Sequence, residues 1–318
     1  MAEVVSSFDT AHGGVVHDAQ LDYYGLRLAT ASADGHIRLW DTSTPEMPTF
    51  LEDLGKHSGA VCQVMWSPPE VGNLLASAGT DGQLLVWGPV EENKQWAWLH
   101  CEDLQTHGSL CGLEWAAAAH GPTLACASSS GVVTILSHQG TIKAVGDTEV
   151  AHHWQAQSFQ AHPQATLSVS WASPPVATDA SLGLSGARFA SVAADDIRVW
   201  SWDDRECAWL QEHKLVPSSE ASSSAKPFRS VAWKPWGGGA EVIAVAGGSA
   251  VTIWELHTSS GWSLSKEVPL GCTAWNLQWT DTGNVLLVSC GGSGSDSLLL
   301  KANLAGEWDV MEMSVREN

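Results

Sequence analysis

The sequence predicts an all-β fold, a six-bladed β-propeller. Three observations carry this: a unit present in six copies, four of them ended by tryptophan, a second tryptophan preceding it at a recurring interval, and short apolar runs between turn residues. The first unit is DYYGLRLATASADGHIRLWD, residues 22–41. Aligned on its HIRLW end are TDGQLLVW (80–87), SSGVVTIL (129–136), ADDIRVW (194–200), GSAVTIW (248–254) and DSLLL (296–300). The anchors Trp40, Trp87, Leu136, Trp200, Trp254 and Leu300 are spaced by 47, 49, 64, 54 and 46 residues, close to the period of a four-stranded blade.

The second anchor is Trp66, Trp115, Trp171, Trp233 and Trp279. It lies 21 residues before the first anchor in copies two, three, five and six. Copy four has an interval of 29, with the excess in the Pro/Gly/Ser-rich SPPVATDASLGLSGA (173–187), which reads as a surface loop. Copy one carries Asp22 there, at an interval of 18. Each copy reads as four short strands. In copy two these are AVCQVMW (60–66), NLLASAG (73–79), LLVWG (84–88) and WAWLHCEDL (96–104), broken by Gly, Asp, Asn and Pro. An outer-strand tryptophan closes copies three to six: Trp154, Trp209, Trp262 and Trp308. The expected blades are 15–55, 60–105, 110–160, 166–213, 228–269 and 273–314, forming one domain over 1–318.

Composition narrows the function. The formal net charge of −20, from 15 Lys+Arg against 35 Asp+Glu, disfavours direct binding to nucleic acid or anionic lipid. No apolar run approaches the length of a transmembrane helix, and MAEVVSSFDT has no signal-peptide pattern. The seven cysteines are scattered without a CxxC pair and read as reduced thiols of a cytosolic or nuclear protein.

The polar residues at fixed places in the repeat read as scaffold. His12, Thr30, Asp34 and Trp40 form one set, and His57, Ser77, Asp81 and Trp87 a second. A third set, His162, Ser191, Asp195 and Trp200, has Ser and Asp one residue nearer the Trp, as a shorter hairpin would place them. In WD40 propellers such residues hydrogen-bond together and tie three strands of a blade. Copies three, five and six have lost the set, with Cys126, Ala244 and non-acidic turns instead. Decay across copies suits a redundant structural device, whereas a catalytic centre occurs once.

No other site emerges. There is no GxSxG, P-loop, HExxH or strand-following GxGxxG. His152-His153 reads as a solvated pair rather than a metal site, and GGGAE (237–241) and GGSGSD (291–296) as turns. No cofactor and no metal are expected. The Ser-rich PSSEASSSAK (217–226) reads as a mobile loop.

Strand counting leaves AEVVSSF (2–8) outside every blade, because the last copy already has its own outer strand, EWDVMEMS (307–314). The chain then forms an open ring whose exposed edges a partner closes by donating strands in trans. Val4, Val5 and Phe8 are the expected contacts of the N-terminal strand. The alternative is closure in cis, with residues 2–8 replacing 307–314.

The run VHDAQLDYYGLRLATASADGHIRLWD (16–41), with GNLLASAGTDGQLLVW (72–87), RFASVAADDIRVW (188–200) and GEWDVMEM (306–313), resembles the Sec-thirteen family of WD40 propellers along essentially the whole chain. The resemblance implies a non-enzymatic subunit shared by the COPII outer coat and the nuclear-pore Y-complex. Its ring is open and is completed by a blade from an α-solenoid partner, the coat rod protein or a Y-complex nucleoporin. For some members it also implies an amino-acid-sensing complex at the lysosome or vacuole. It implies a location at ER exit sites and at the nuclear envelope, with only indirect membrane association. The blade-5 and blade-3 loops, PSSEASSSAKPFRSVAW (217–233) and AAAAHGP (116–122), depart from the family pattern. Two alternatives are a sister nuclear-pore propeller and a closed WD40 peptide-binding adaptor, the latter poorly served by so few cations.

Overall fold

The computed structural model describes residues 2–3, 7–44, 47–89, 95–143, 150–173, 184–216, 227–235, 239–291, 297–303, 307–312 and 315–316. Val4, Val5, the Ser-rich stretch 217–226 and most of the blade-4 loop lie outside the described residues. Among the described residues are six four-stranded antiparallel sheets, each made of four consecutive strands. The architecture is that of a six-bladed β-propeller. The sheets span residues 16–53, 61–103, 110–160, 166–215, 228–269 and 273–312. Helix is confined to two 3₁₀ turns, Gln105–His107 and Ala118–His120.

The blades group into two compact units, one of residues 5–163 (blades 1 to 3) and one of residues 164–318 with 1–4 (blades 4 to 6). In each unit the core is apolar side chains from facing sheets. Ala29, Ile37 and Leu39 of blade 1 pack with Val64, Leu85 and Trp87 of blade 2, and Leu84 and Val86 pack against blade 3. In the other unit, blade 5 turns Ile243 and Val245 to blade 4, and Ala244, Val251 and Ile253 to blade 6. Middle strands buried on both faces explain why their sequences run apolar instead of alternating.

The tight hairpin between the second and third strands explains part of the repeat. Thr30 faces Arg38 and Ser77 faces Leu85, whereas Ser191 faces Arg198, so the blade-4 hairpin is one residue shorter. Gly35 and Gly82 have positive φ in this turn, and a Cβ on Gly35 would collide with the His57 carbonyl.

The cysteine expectation needs one correction. Cys272 and Cys290 form a disulfide between the entry to blade 6 and its second strand, their Cα atoms 5.9 Å apart, within the ordinary disulfide range. The remaining five are free thiols. Burial pushes the Cys62 thiol up to about 11 and also raises Cys111, which argues against reactivity.

Candidate partner-binding faces

The polar sets of blades 1 and 2 are brought together. In blade 1, Trp40 Nε1 donates to Thr30 Oγ1 at 3.2 Å. That oxygen lies 2.9 Å from His12 Nε2, and His12 Nδ1 lies 3.1 Å from Asp34 Oδ2. In blade 2, Trp87 Nε1 donates to Ser77 Oγ at 2.9 Å, Ser77 Oγ is 2.8 Å from His57 Nε2, and His57 Nδ1 is 3.1 Å from Asp81. Burial works to raise the Asp34 carboxyl. The amides of His36 and Gly13, with the His12 and Ser32 side chains, outweigh it and hold that carboxyl far below the usual range. Asp81 is lowered in the same way: its burial is outweighed by His57 and the amides of Gln83 and Ser58.

Burial pushes the His57 imidazole down against the opposing pull of Asp81, so the ring is neutral at neutral pH. The chain of bonds then runs one way, from the Trp87 indole to Ser77, from the Ser77 hydroxyl to His57, and from His57 Nδ1 to Asp81. Hydroxyl, imidazole and carboxylate in this order also describe an activated nucleophile. Burial decides between the readings. Ser77 is 0% exposed and its oxygen already accepts from Trp87, so no substrate reaches it.

Blade 4 departs from the expected set. Trp200 Nε1 donates to Ser191 Oγ at 2.9 Å, but Asp195 is exposed. The buried acid is the next residue, Asp196, which pairs with Arg198 at 2.7 Å and Lys214 at 3.2 Å. The shorter hairpin moves the acid by one position. His162 is buried at the end of the other unit. In blade 5 the Trp254 indole donates within its own strand, to Thr252 Oγ1 at 3.2 Å, so it does not reach the second strand as in blades 1, 2 and 4.

The second tryptophan anchor has a role that spacing alone did not reveal. Trp66 Nε1 donates to Gln20 O (2.9 Å), Trp115 Nε1 to Met65 O (3.0 Å) and Trp279 Nε1 to Ala232 O (3.1 Å). Each is a bolt to the first strand of the preceding blade. Blades 4 and 5 are joined differently. Ser168 and Ser170 hydroxyls accept from the amides of Val231 and Trp233, and Arg188 bridges Glu212 and Glu241.

Two sheet faces stand apart. Blade 1 turns one face to blade 2. Its other face carries the cross-strand row Leu21, Leu28, Trp40 and Phe50. Phe8 packs edge-on to Trp40 at 4.9 Å, and Arg38, also on this face, donates to Thr10 O at 2.8 Å. The N-terminal segment therefore covers the middle of the row, while Leu21 and Phe50 at its ends are 56% and 54% exposed. Phe8, expected in a free strand, is half-buried on its own blade.

Blade 6 packs Leu277, Trp279, Leu286, Val288, Leu298 and Leu300 against blade 5. Its opposite face carries the row Gln278, Leu287, Leu299 and Met311, flanked by Val285. Leu287 and Leu299 are only half-buried and Met311 is exposed, whereas the second strands of blades 2, 3 and 5 are buried throughout. The sixth sheet is completed by its own outer strand, Trp308–Glu312, paired with Ser297–Ala302. Ala2–Glu3 pair instead, in parallel, with Val315–Arg316. Among the described residues the alternative pairing of 2–8 with 297–303 does not occur.

Whole-chain relatives agree with this architecture. The chain is 31% identical over 335 residues to "Protein transport protein SEC13" of Cryptococcus neoformans, covering 95% of each. It is 33% identical over 313 residues to "Protein transport protein sec13" of Aspergillus clavatus, covering 94% of this chain and 99% of that one. This chain belongs to the SEC13 family. A third SEC13-family member, "Protein SEC13 homolog" of Drosophila melanogaster, is 30% identical over 320 residues, covering 97% of this chain and 83% of its own. No family model matches the chain. Among solved structures, Saccharomyces cerevisiae Sqt1 superposes with a TM-score of 0.60 at 15% identity, over 96% of this chain and 87% of that one; the likeness is one of fold alone.

Proposed function

We propose that this chain is a non-enzymatic protein-transport scaffold, the small propeller subunit of the COPII outer coat in ER-to-Golgi transport. In this reading it also serves the nuclear-pore Y-complex. It works in the cytoplasm at ER exit sites and at the nuclear envelope, and reaches membranes only through its partners. It binds an α-solenoid protein that donates a blade in trans. The observation that carries the reading is the second face of blade 6. Val285, Leu287, Leu299 and Met311 form a half-buried to exposed apolar row on the face of blade 6 turned away from blade 5. A donated blade covers that row and pairs edges that would otherwise invite aggregation. An obligate contact of this kind buries about 2,000 Å² or more, enough to stiffen the partner where it crosses the propeller. Of the expected N-terminal contacts, Phe8 borders a face of blade 1 in this proposal, while Val4 and Val5 lie outside the described residues.

The test is co-purification of the tagged full chain with Leu287→Asp and Leu299→Asp. The reading expects loss of a stoichiometric large α-solenoid partner, with only a small change in melting temperature because both side chains are half-buried. Retention of that partner by both variants refutes it.

A further inference from the structure

The first strand of every blade carries a one-residue register slip near its start. The slips fall between Val16 and Asp18, Val61 and Gln63, Leu110 and Gly112, Thr166 and Ser168, Phe228 and Ser230, and Ala274 and Asn276. A bulge takes the extra residue out of the ladder and re-aims its side chain. The extra residues are His17, Cys62, Cys111, Leu167, Arg229 and Trp275. The six comprise five residue types, so the position is free to carry function that the ladder does not constrain.

Arg229 and Trp275 sit at the bulges of adjacent blades within one unit. Their strands are locked side by side, with Ser230 Oγ donating to Asn276 Oδ1 at 3.0 Å and accepting from Leu277 N at 3.2 Å. The Arg229 guanidinium carbon lies 4.0 Å from the Trp275 ring centroid, a cation–π stack. Gly291 makes room for the indole, since a Cβ there would collide with its nitrogen. The indole is 50% exposed. Among the described residues no acceptor meets the Arg229 guanidinium, and its Nε is buried without a partner. Two other arginines of this unit, Arg188 and Arg198, are held by carboxylates.

We infer that Arg229 and Trp275 form a recognition site for the carboxylate side chain of an acidic linear peptide. Everything the pair offers is a donor: the planar guanidinium fork and the indole N–H. A planar carboxylate takes the fork in bidentate fashion. The stack on Trp275 holds the guanidinium in orientation, so little side-chain freedom is lost when it binds. A single fork without a second arginine suits a carboxylate better than a phosphoryl group, whose sites gather arginine clusters. The chain's net charge of −20 repels a polyanion such as nucleic acid, but one locally acidic peptide side chain meets here a cation that no described carboxylate pairs with. This activity is separate from the blade-6 contact, because Arg229 and Trp275 contribute nothing to the Leu287–Leu299 row.

The test follows the indole signals in ¹H–¹⁵N spectra of the full chain, with the Trp275 signal assigned by its loss in Trp275→Phe. The probe is an end-capped Gly-Ser-Glu-Asp-Gly-Ser peptide, compared with its Gln-Asn analogue and with a phosphoserine version. The proposal expects a saturable shift of the Trp275 signal with the acidic probe and no saturable shift with the neutral one. Arg229→Gln should weaken binding by about tenfold or more, while Arg229→Lys, keeping charge without the fork, loses less. Unchanged remaining indole signals establish that Arg229→Gln is folded; if they collapse, Arg229→Lys decides. An unmoved Trp275 signal, equal response to the neutral probe, tighter binding of the phosphoserine probe, or wild-type affinity in the deciding variant overturns the assignment.

Discussion

Ser77→Ala tests the blade network at its centre. The hydroxyl is 0% exposed, accepts from Trp87 Nε1 at 2.9 Å and meets His57 Nε2 at 2.8 Å. Deleting it leaves two buried nitrogens without partners. Each orphaned group costs about 1–3 kcal/mol, and because the two share one oxygen the costs overlap, giving about 2–4 kcal/mol in total. The opposing effects are small. Alanine is more apolar than serine, and the space vacated by one oxygen is worth well under ~1 kcal/mol. At about 2–3 °C per kcal/mol for a chain of this size, the melting temperature should fall by about 5–10 °C.

The assay is thermal and urea unfolding followed by tryptophan fluorescence and near-UV circular dichroism, with exposed Ser129→Ala as the neutral comparison. Adding Trp87→Phe removes one of the stranded donors, so the double variant should cost less than the sum of the singles by about 0.5–1 kcal/mol. A Ser77→Ala cost below ~0.5 kcal/mol, or strict additivity, would refute the argument that these hydrogen bonds hold the blade.

Two further outcomes follow. His57 titrates lower in the fold than its ordinary 6.5, so the unfolded chain takes up the proton first and stability falls as pH drops through about 6.5. Asp34 and Asp81 are lowered from 3.8, so their contribution is intact above that value and is lost as pH falls below it. The urea midpoint should therefore drop between pH 7.5 and 5.5 and again below about 4, and His57→Asn should flatten the first step; an identical slope in that variant would contradict the assignment. Phe8→Ala should cost about 1–2 kcal/mol, roughly half the value for a fully buried ring, because Phe8 is half-buried on Trp40. It should also weaken partner capture. An unchanged melting temperature would mean that the N-terminal segment does not cap blade 1.

The sheets were legible in the sequence because each middle strand is buried on both faces and bounded by Gly, Asp or Asn turns, so apolar runs and breaks coincide with strands. The networks of blades 1 and 2 were legible because four residue types recur at fixed separations. Asp195 was misplaced where a hairpin one residue shorter puts Asp196 into the buried position. The tryptophan bolts left a spacing but no role, since their acceptors are backbone carbonyls, which have no sequence signature. The bulges were invisible for a related reason: His, Cys, Leu, Arg and Trp share no property that marks an extra residue in a ladder. The Cys272–Cys290 disulfide was missed because its partners lie 18 residues apart, across a hairpin register that composition does not reveal.

Leu21 ties these strands of reasoning together. Trp66, Trp115 and Trp279, which reach back to the preceding blade, stand opposite Leu75, Leu124 and Leu286; in blade 1 the residue opposite Leu28 is Leu21, so the Asp22 expected from spacing falls one residue past the bolt position. Asp22 Oδ1 accepts from the amides of Leu26 at 2.8 Å and Arg27 at 3.2 Å, closing its own hairpin. A tryptophan bolt is useful only where a first strand stands ready on the preceding side. Blade 1 carries the N-terminal segment, with Phe8 on Trp40, and blade 6 carries a half-buried apolar row on the face turned away from blade 5. A propeller that closes on itself favours tryptophan at position 21 and buried leucines at 287 and 299. The leucine in place of the bolt and the partial burial of Leu287 and Leu299 are independent features, and both fit the donated blade proposed above. On this argument Leu21→Trp should not stabilise the isolated chain, and a gain of stability comparable to that of an internal bolt would count against the donated blade.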